Sequence, residues 1–539
     1  MPRPMATSSH HHLLPELLES LDLPQEFKKY ENATPQQQEA LQSWTQKAPS
    51  RLNDLKLALQ GRYEDIDIEA LGKVVAKVSP FAYDVASLCG DDGHAAYEEE
   101  RNVLGNETPW ITPSSKASAQ EILLSLDTPR KGALVKHVLE HIVKPIFRAS
   151  NPHPHINPAT GRSLPPSKVG RPPQQGGVSS ITQDFFESEG QIWKNTIGLG
   201  AIVYWCIDNI EPGTYMDVWH LIVPPVMTFL DDYQPRYKLW GLLVAQRMLR
   251  DVSPNLLKTT GIHGLLKSSF RKILAHQDSP LSPTILRLSI SQSLSLTLLT
   301  TSEGSKDRFD NLTELLGEGI IDNIWTYTFD KPEAIRATLD ALPELIQALD
   351  IGCTRFLQSL LPQLLHPLTL PSNQGPIPGR PSLDLLQLQL QNSALRALIP
   401  LMRVCAPRIH GWRLTILDAL VRCWVTMVSD PSDGSTTASP YQFEVPANQG
   451  DSDDEDEGDV REALKPTGYL ENVDVEGLRP LNPSSIEDNQ RCLTALLQTA
   501  AYGLVQLCPS LAIVEYPQLS KLDPKSLGEL LPKLKAQAP

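Results

Sequence analysis

The chain has 539 residues, a formal charge of −15, 46 prolines and 80 leucines. At about 150 residues per domain, that length allows three or four domains or one elongated array. Leucine-rich blocks interrupted by proline-rich segments exclude collagen-like and wholly disordered chains. Seven of the negative charges lie in the run 451–459, so the rest of the body is only mildly acidic. Without a basic face or stripe, non-specific nucleic-acid binding is not expected. The seven cysteines are odd in number, form no C-x-x-C, and have apolar neighbours such as Trp205 and Ile207 around Cys206. They read as buried free thiols in a reducing compartment. The first thirty residues hold no basic segment followed by an apolar core, and the longest apolar run, 199–207, is far short of the ~18 residues of a membrane span. Neither secretion nor membrane insertion is expected. His10, His11 and His12 run into Leu13 and Leu14 as a native helix start.

In chain order, the N-terminal region 1–149 predicts short helices, among them 35–47, 50–60, 68–78 and 129–148. In the last of these, Leu134, Val138, Leu139, Ile142, Val143 and Ile146 make one apolar face at three- and four-residue spacing. Residues 150–180 carry seven prolines and almost no large apolar side chains. Such a stretch cannot offset the entropy of ordering, so a flexible loop and a boundary are expected there. From 181 to 370 the pattern is nearly continuous helix, without period-two strands. A proline-rich break at 371–381 precedes helices at 383–399 and 401–428, within a C-terminal helical region 382–429. The acidic stretch 430–484 is expected to be disordered. The helix 485–508 and a short tail complete the region 485–539.

Within 181–430 the helices come in pairs, the clearest at 216–250. Its first helix passes through Val223, Pro224, Pro225 and Phe229 to the acidic turn Asp231-Asp232, and its second starts after Pro235 with Tyr237, Lys238, Leu239, Trp240 and Gly241. This is the layout of a HEAT repeat, and a similar turn at Asp278-Ser279-Pro280 follows about 47 residues on. Further pairs fit 332–366 and 383–428. One pair alone exposes apolar stripes on both sides, and only stacking the next pair covers them. The predicted fold is therefore all-α, a HEAT-like α-solenoid of stacked antiparallel helix pairs, with a compact helical bundle as the alternative. Asp231 and Asp232 are expected to cap the second helix of their pair.

The motif search finds little chemistry. His137, Glu140 and His141 spell H-x-x-E-H, a zinc-hydrolase pattern whose third ligand would have to be a carboxylate such as Glu211. Five residues this loosely specified recur by chance, and an ordinary histidine pair is the plainer reading. Gly198 and Gly200 form a bare G-x-G without a preceding strand, which reads as close helix packing. No phosphate-binding loop and no nucleophile elbow is present, so no catalytic residue, cofactor or metal is assigned. The tryptophans 205, 219, 240, 325, 412 and 424 read mainly as core. Trp240, with Arg236 and Lys238, and Trp412, with Arg408 and Arg413, are partner-surface candidates, and Asp231, Asp232 and Tyr233 join the first group. Ser452, flanked by Asp451 and followed by Asp453, Asp454 and Glu455, suits an acidophilic kinase, and its phosphate would attract a Lys/Arg cluster on another protein; the alternative is a solvated charge run that keeps the loop soluble and extended.

The stretch 223–241, with its proline pair, Leu230-Asp231-Asp232-Tyr233 and Lys238 three residues before Gly241, closely resembles the Tti-two family, and 273–299 resembles that family's next unit. The resemblance is best over about 185–430. It implies a non-enzymatic scaffold of the TTT cochaperone complex, bound to the Tti-one subunit and through it to Tel-two. Such a subunit acts with Hsp90 and the R-two-TP chaperone assembly in maturing phosphatidylinositol-3-kinase-related kinases of the DNA-damage and TOR pathways, in the cytoplasm and nucleus. An importin-like transport adaptor is the other scaffold reading.

Overall fold

The computed structural model describes residues 13–61, 66–90, 97–126, 129–148, 155–164, 192–275, 278–328, 330–369, 383–428, 482–522 and 527–530, with positions 63, 477 and 479. It is all-α. Among the described residues the one β feature is an isolated antiparallel bridge between Ile156 and Ser163. The chain forms two compact units, Met1–Thr301 and Ser302–Pro539, and their boundary falls inside the helical block 181–370.

The first unit begins with α1 (Leu13–Ser20), α2 (Pro35–Leu59), α3 (Ile68–Ala82), α4 (Val85–Leu88), α5 (Glu98–Gly105), α6 (Pro113–Ser125) and α7 (Lys131–Val138). The last continues through a π turn, Leu139–Val143, into Lys144–Arg148. Then follow α8 (Ile192–Asn195), α9 (Leu199–Asp208), α10 (Tyr215–Asp231), α11 (Pro235–Asp251), α12 (Pro254–Thr260), α13 (Ile262–Leu274) and α14 (Ser282–Thr300). Local chemistry sets several starts: the side chains of Thr34, Asp67 and Ser253 each accept a hydrogen bond from a free backbone N–H of the helix they precede. α10 packs on α11, α13 on α14, and α11 also touches α9 and α14. The three-residue link between α10 and α11 makes that pair antiparallel, as predicted. Their shared core includes Trp205, Ile222, Phe229, Leu242, Phe270 and Ile285, all buried. Each contributes on the order of 1.5–3 kcal/mol relative to exposure.

Two predicted breaks are absent. Pro49 lies inside α2, and Pro400 lies inside a single helix, Leu383–Val404, where the sequence suggested stops near 48 and 400. An interior proline removes one hydrogen bond and costs about 3 kcal/mol. Burial wins here: Leu52, Leu55 and Leu59 in α2, and Leu398, Ile399, Leu401 and Met402 around Pro400, are almost completely enclosed. Pro224 and Pro225 sit inside α10, where Pro225 and the flanking Val223 and Val226 are buried.

The expected flexible loop 150–180 also needs correction over 155–164. There Asn157 N–H donates to the Arg162 carbonyl (2.9 Å), Gly161 N–H to the Asn157 carbonyl (2.8 Å), and Ser163 N–H to the Thr260 carbonyl (2.8 Å). Ile156 is buried in the unit's core. Gly161, at φ +63°, lies where a β-carbon would come within 3.0 Å of the His220 backbone. One apolar anchor and satisfied backbone groups order ten residues that the average composition hides.

The second unit contains α15 (Lys306–Glu314), prolonged by a π segment Leu315–Trp325, then α16 (Pro332–Leu349), α17 (Leu357–Thr369), α18 (Leu383–Val404), α19 (Ala406–Ile409), α20 (Arg413–Val428), α21 (Ile486–Leu507), α22 (Ser510–Ile513), α23 (Glu515–Leu522) and α24 (Leu527–Leu530). α18 is its centre, packed against α16, α17 and α21. Its buried polar residues face those neighbours. Asp340 accepts from Ser393 Oγ (2.6 Å) and Arg396 Nη1 (3.4 Å), Asn392 donates to Asn489 Oδ1 (3.1 Å), and Gln389 bridges Arg336 to the Pro483 carbonyl. Pro483 belongs to the stretch 430–484 expected to be disordered, so the ordered structure reaches three residues into it.

Candidate functional site

The turn between α10 and α11 is the most densely connected of the predicted sites. Asp232 Oδ1 accepts from Gln234 N–H (2.8 Å), and Oδ2 pairs with Lys194 Nζ (2.6 Å), with both side chains nearly enclosed at 6% and 9% exposure. The lysine cation also lies 4.4 Å from the Tyr233 ring centroid, 5.1 Å from Trp193 and 5.7 Å from Tyr237. Rings and carboxylate together replace the water that burial removes from the ammonium. The Tyr237 hydroxyl donates to the Lys194 carbonyl (3.3 Å), and burial pushes its pKa up to about 12. The expected capping role is therefore wrong. Gln234 occupies the N-cap without a side-chain bond, and Asp232 faces Lys194 instead of the first N–H groups of α11. Asp231 accepts from Ser269 Oγ (2.7 Å) on α13.

The neighbouring basic and aromatic candidates are engaged within the same unit. Arg236 pairs with Glu107 (3.4 Å) and donates to the Lys28 carbonyl (3.3 Å). Lys28 donates to Asn195 Oδ1 (3.0 Å), while burial and then the Arg236 charge hold its pKa below the usual lysine value. Burial likewise lowers the pKa of half-buried Lys238. Trp240 is buried, and a β-carbon on Gly200 would lie 2.3 Å from its indole. Gly198, at φ +77°, would meet Pro80 at 2.6 Å. The G-x-G is thus a packing device, as its plain reading held. Lys28, Glu107, Trp110, Arg236, Tyr237 and Trp240 line one cleft here.

The second group lies elsewhere in the chain. α19 and a 3₁₀ turn, His410–Trp412, lead into α20. Arg408 and His410 are exposed, and Trp412 and Arg413 are half-buried. Arg413 Nη1 donates to the His410 carbonyl (2.9 Å). Arg408 makes no side-chain hydrogen bond or ion pair among the described residues. Burial first, then Arg413, lowers the His410 pKa. Trp205, Trp219, Trp240, Trp325 and Trp424 are buried.

His137 and His141 lie with their ring centroids 4.5 Å apart and their planes tilted by 41°. No group of three or more His, Cys, Asp or Glu able to hold a metal occurs among the described residues. Glu211 stands at the N-cap position of the short turn Pro212–Thr214, without a side-chain capping bond, and joins no such group with them. Ser452 and its flanking Asp451, Asp453, Asp454 and Glu455 lie outside the described residues. No described helix is long and apolar enough to cross a membrane.

Sequence reasoning missed Lys194, Trp193 and Glu107. Lys194 is 38 positions before Asp232, and only the adjacent Trp193-Lys194 pair offered a hint.

These features define an all-helical repeat protein built on packed helix pairs. The sequence model of the Tti2 family matches residues 102–373, just over half of the chain, and the chain belongs to that family. It is the family that the Tti-two resemblance of 223–241 indicated, and the match begins well before residue 185. Membership places the chain among TTT-complex scaffold subunits in general. No solved structure matches the chain.

Proposed function

We propose that the chain is a non-enzymatic scaffold subunit of the TTT cochaperone complex. It binds the Tti-one subunit and, through it, Tel-two, and acts with Hsp90 and the R-two-TP assembly to mature phosphatidylinositol-3-kinase-related kinases. The family match over 102–373 carries this reading. The compartments are cytoplasm and nucleus, and the buried free thiols accord with a reducing environment.

Affinity purification of the tagged full chain from its own cells, with identification of co-purifying proteins, tests the proposal. Near-equal amounts of Tti-one and Tel-two are expected, with loss of the kinases when the chain is depleted. Recovery of neither subunit, or of nuclear transport factors in their place, overturns it.

A further inference from the structure

From Leu385 to Leu417 the chain contains no aspartate or glutamate, yet it carries Arg396, Arg403, Arg408 and Arg413 in a protein of net charge −15. Arg396 is used internally by Asp340 (3.4 Å). Arg408 is exposed, and Arg413 is oriented by its bond to the His410 carbonyl (2.9 Å). The acid that ends the stretch does not offset them: Asp418 is held by Arg422 (2.8 Å). Half-buried Trp412 and exposed Leu414 (47%) flank Arg413 in sequence, four to six positions after Arg408. Trp412 and Arg413 are adjacent, and tryptophan and arginine are among the residues most enriched at interface anchors.

We propose that Arg408, Trp412, Arg413 and Leu414 form a docking surface for a segment of a partner protein that carries both carboxylates and an apolar side chain. Charge complementarity selects the sign. An acidic segment is repelled by the body as a whole and attracted only where the cations are concentrated. The apolar half of the patch selects against the chain's own acidic run. Residues 451–459 match the charges but contain no apolar side chain to cover Trp412 and Leu414. This surface lies outside the family match at 102–373 and stands apart from the TTT assignment.

The test uses the full chain and a fluorescein-labelled peptide of alternating glutamate and leucine, read by fluorescence anisotropy. Saturable binding that weakens with salt is expected. Arg408→Glu should reduce it by about tenfold or more, whereas Arg408→Lys should retain most of it, and thermal melting should confirm that both variants fold. A peptide of glutamate alone should bind more weakly, and one of alternating lysine and leucine not at all. Absence of binding by the wild-type chain, or equal binding by the Arg408→Glu chain, overturns the proposal. Equal binding of the all-glutamate peptide, or of a single-stranded oligonucleotide through Arg408, reassigns the patch to any polyanion and also overturns it. A chain lacking 449–460 that binds about tenfold more tightly would show the chain's own run in the site and overturn the assignment to a partner. None of these results depends on recovery of Tti-one or Tel-two.

Discussion

The segments 231–240 and 408–414 each set arginine close to tryptophan at the start of a helix, and the protein uses them in opposite ways. In the first, charged and aromatic groups meet counterparts from distant parts of the same unit: Lys194 for Asp232, Glu107 for Arg236, Gly200 for Trp240. In the second, Arg408 meets none among the described residues, and Arg413 is held only by the adjacent turn. Composition announces that a turn matters. Availability depends on what the rest of the chain places opposite it.

The comparison breaks most directly at Lys194. Removing one partner of a buried ion pair leaves the other charge uncompensated, typically costing about 3–5 kcal/mol. Lys194→Met should therefore lower chemical-denaturation stability by about 3 kcal/mol or more. Lys194→Met with Asp232→Leu should regain much of that loss, because no lone charge remains. A single variant as stable as wild type would show the pair to be solvated and the first turn no different from the second.

Gly200→Ala should come next. Its β-carbon would press on the flat of the Trp240 indole, which has no flexible end to yield. Overpacking of this kind costs about 1–3 kcal/mol, measurable as a lower urea midpoint. Gly200→Ala with Trp240→Leu should recover part of it.

What the sequence disclosed and what it hid divide along the same line. The helices, the acidic turn and the packing role of Gly198 and Gly200 follow from local spacing and are found where expected. The boundary at Thr301, the continuation of helices through Pro49 and Pro400, and the ordered turn 155–164 depend on burial by distant residues, which no local pattern encodes. The same holds for sites. Asp232 looked like a cap because short acids before a helix usually are, and its real partner, Lys194, is far off in sequence. In α18, Gln387, Gln389 and Gln391 alternate with leucine, a strand-like rhythm within a helix. The alternation persists because Gln387 and Gln391 donate to the Pro367 carbonyl (2.6 and 3.3 Å) and Gln389 to that of Pro483 (2.9 Å).

Protonation sharpens the contrast. Burial raises the Tyr237 pKa to about 12, so the folded chain keeps a proton that the unfolded chain releases near pH 10. Stability from this group is complete below pH 10 and is lost as pH rises towards about 12. His410 works at the other end. Its pKa is lowered, so its contribution is present above the ordinary histidine value and lost as pH falls through the folded value. Melting temperature measured against pH should decline on the alkaline side with a slope that Tyr237→Phe reduces. His410→Gln should flatten only the acid side, and more weakly, because His410 is exposed. An unchanged alkaline slope in the phenylalanine variant would place Tyr237 in water.

Arg408→Ala should have the smallest effect on stability, within about 0.5 kcal/mol of wild type, as expected for a surface change that disturbs no cap, pair or packing. Arg413→Ala should cost somewhat more, near the ~1 kcal/mol of a single hydrogen bond, because it frees the His410 carbonyl. The difference between these two variants is informative because both remove one positive charge from the same turn. Any long-range electrostatic effect on folding is shared between them and cancels, leaving the local bond. If Arg408→Ala instead matched the loss seen with Lys194→Met, the arginine would have to be paired within the chain. The second turn would then be structural in the same sense as the first, with no cation left to offer a partner.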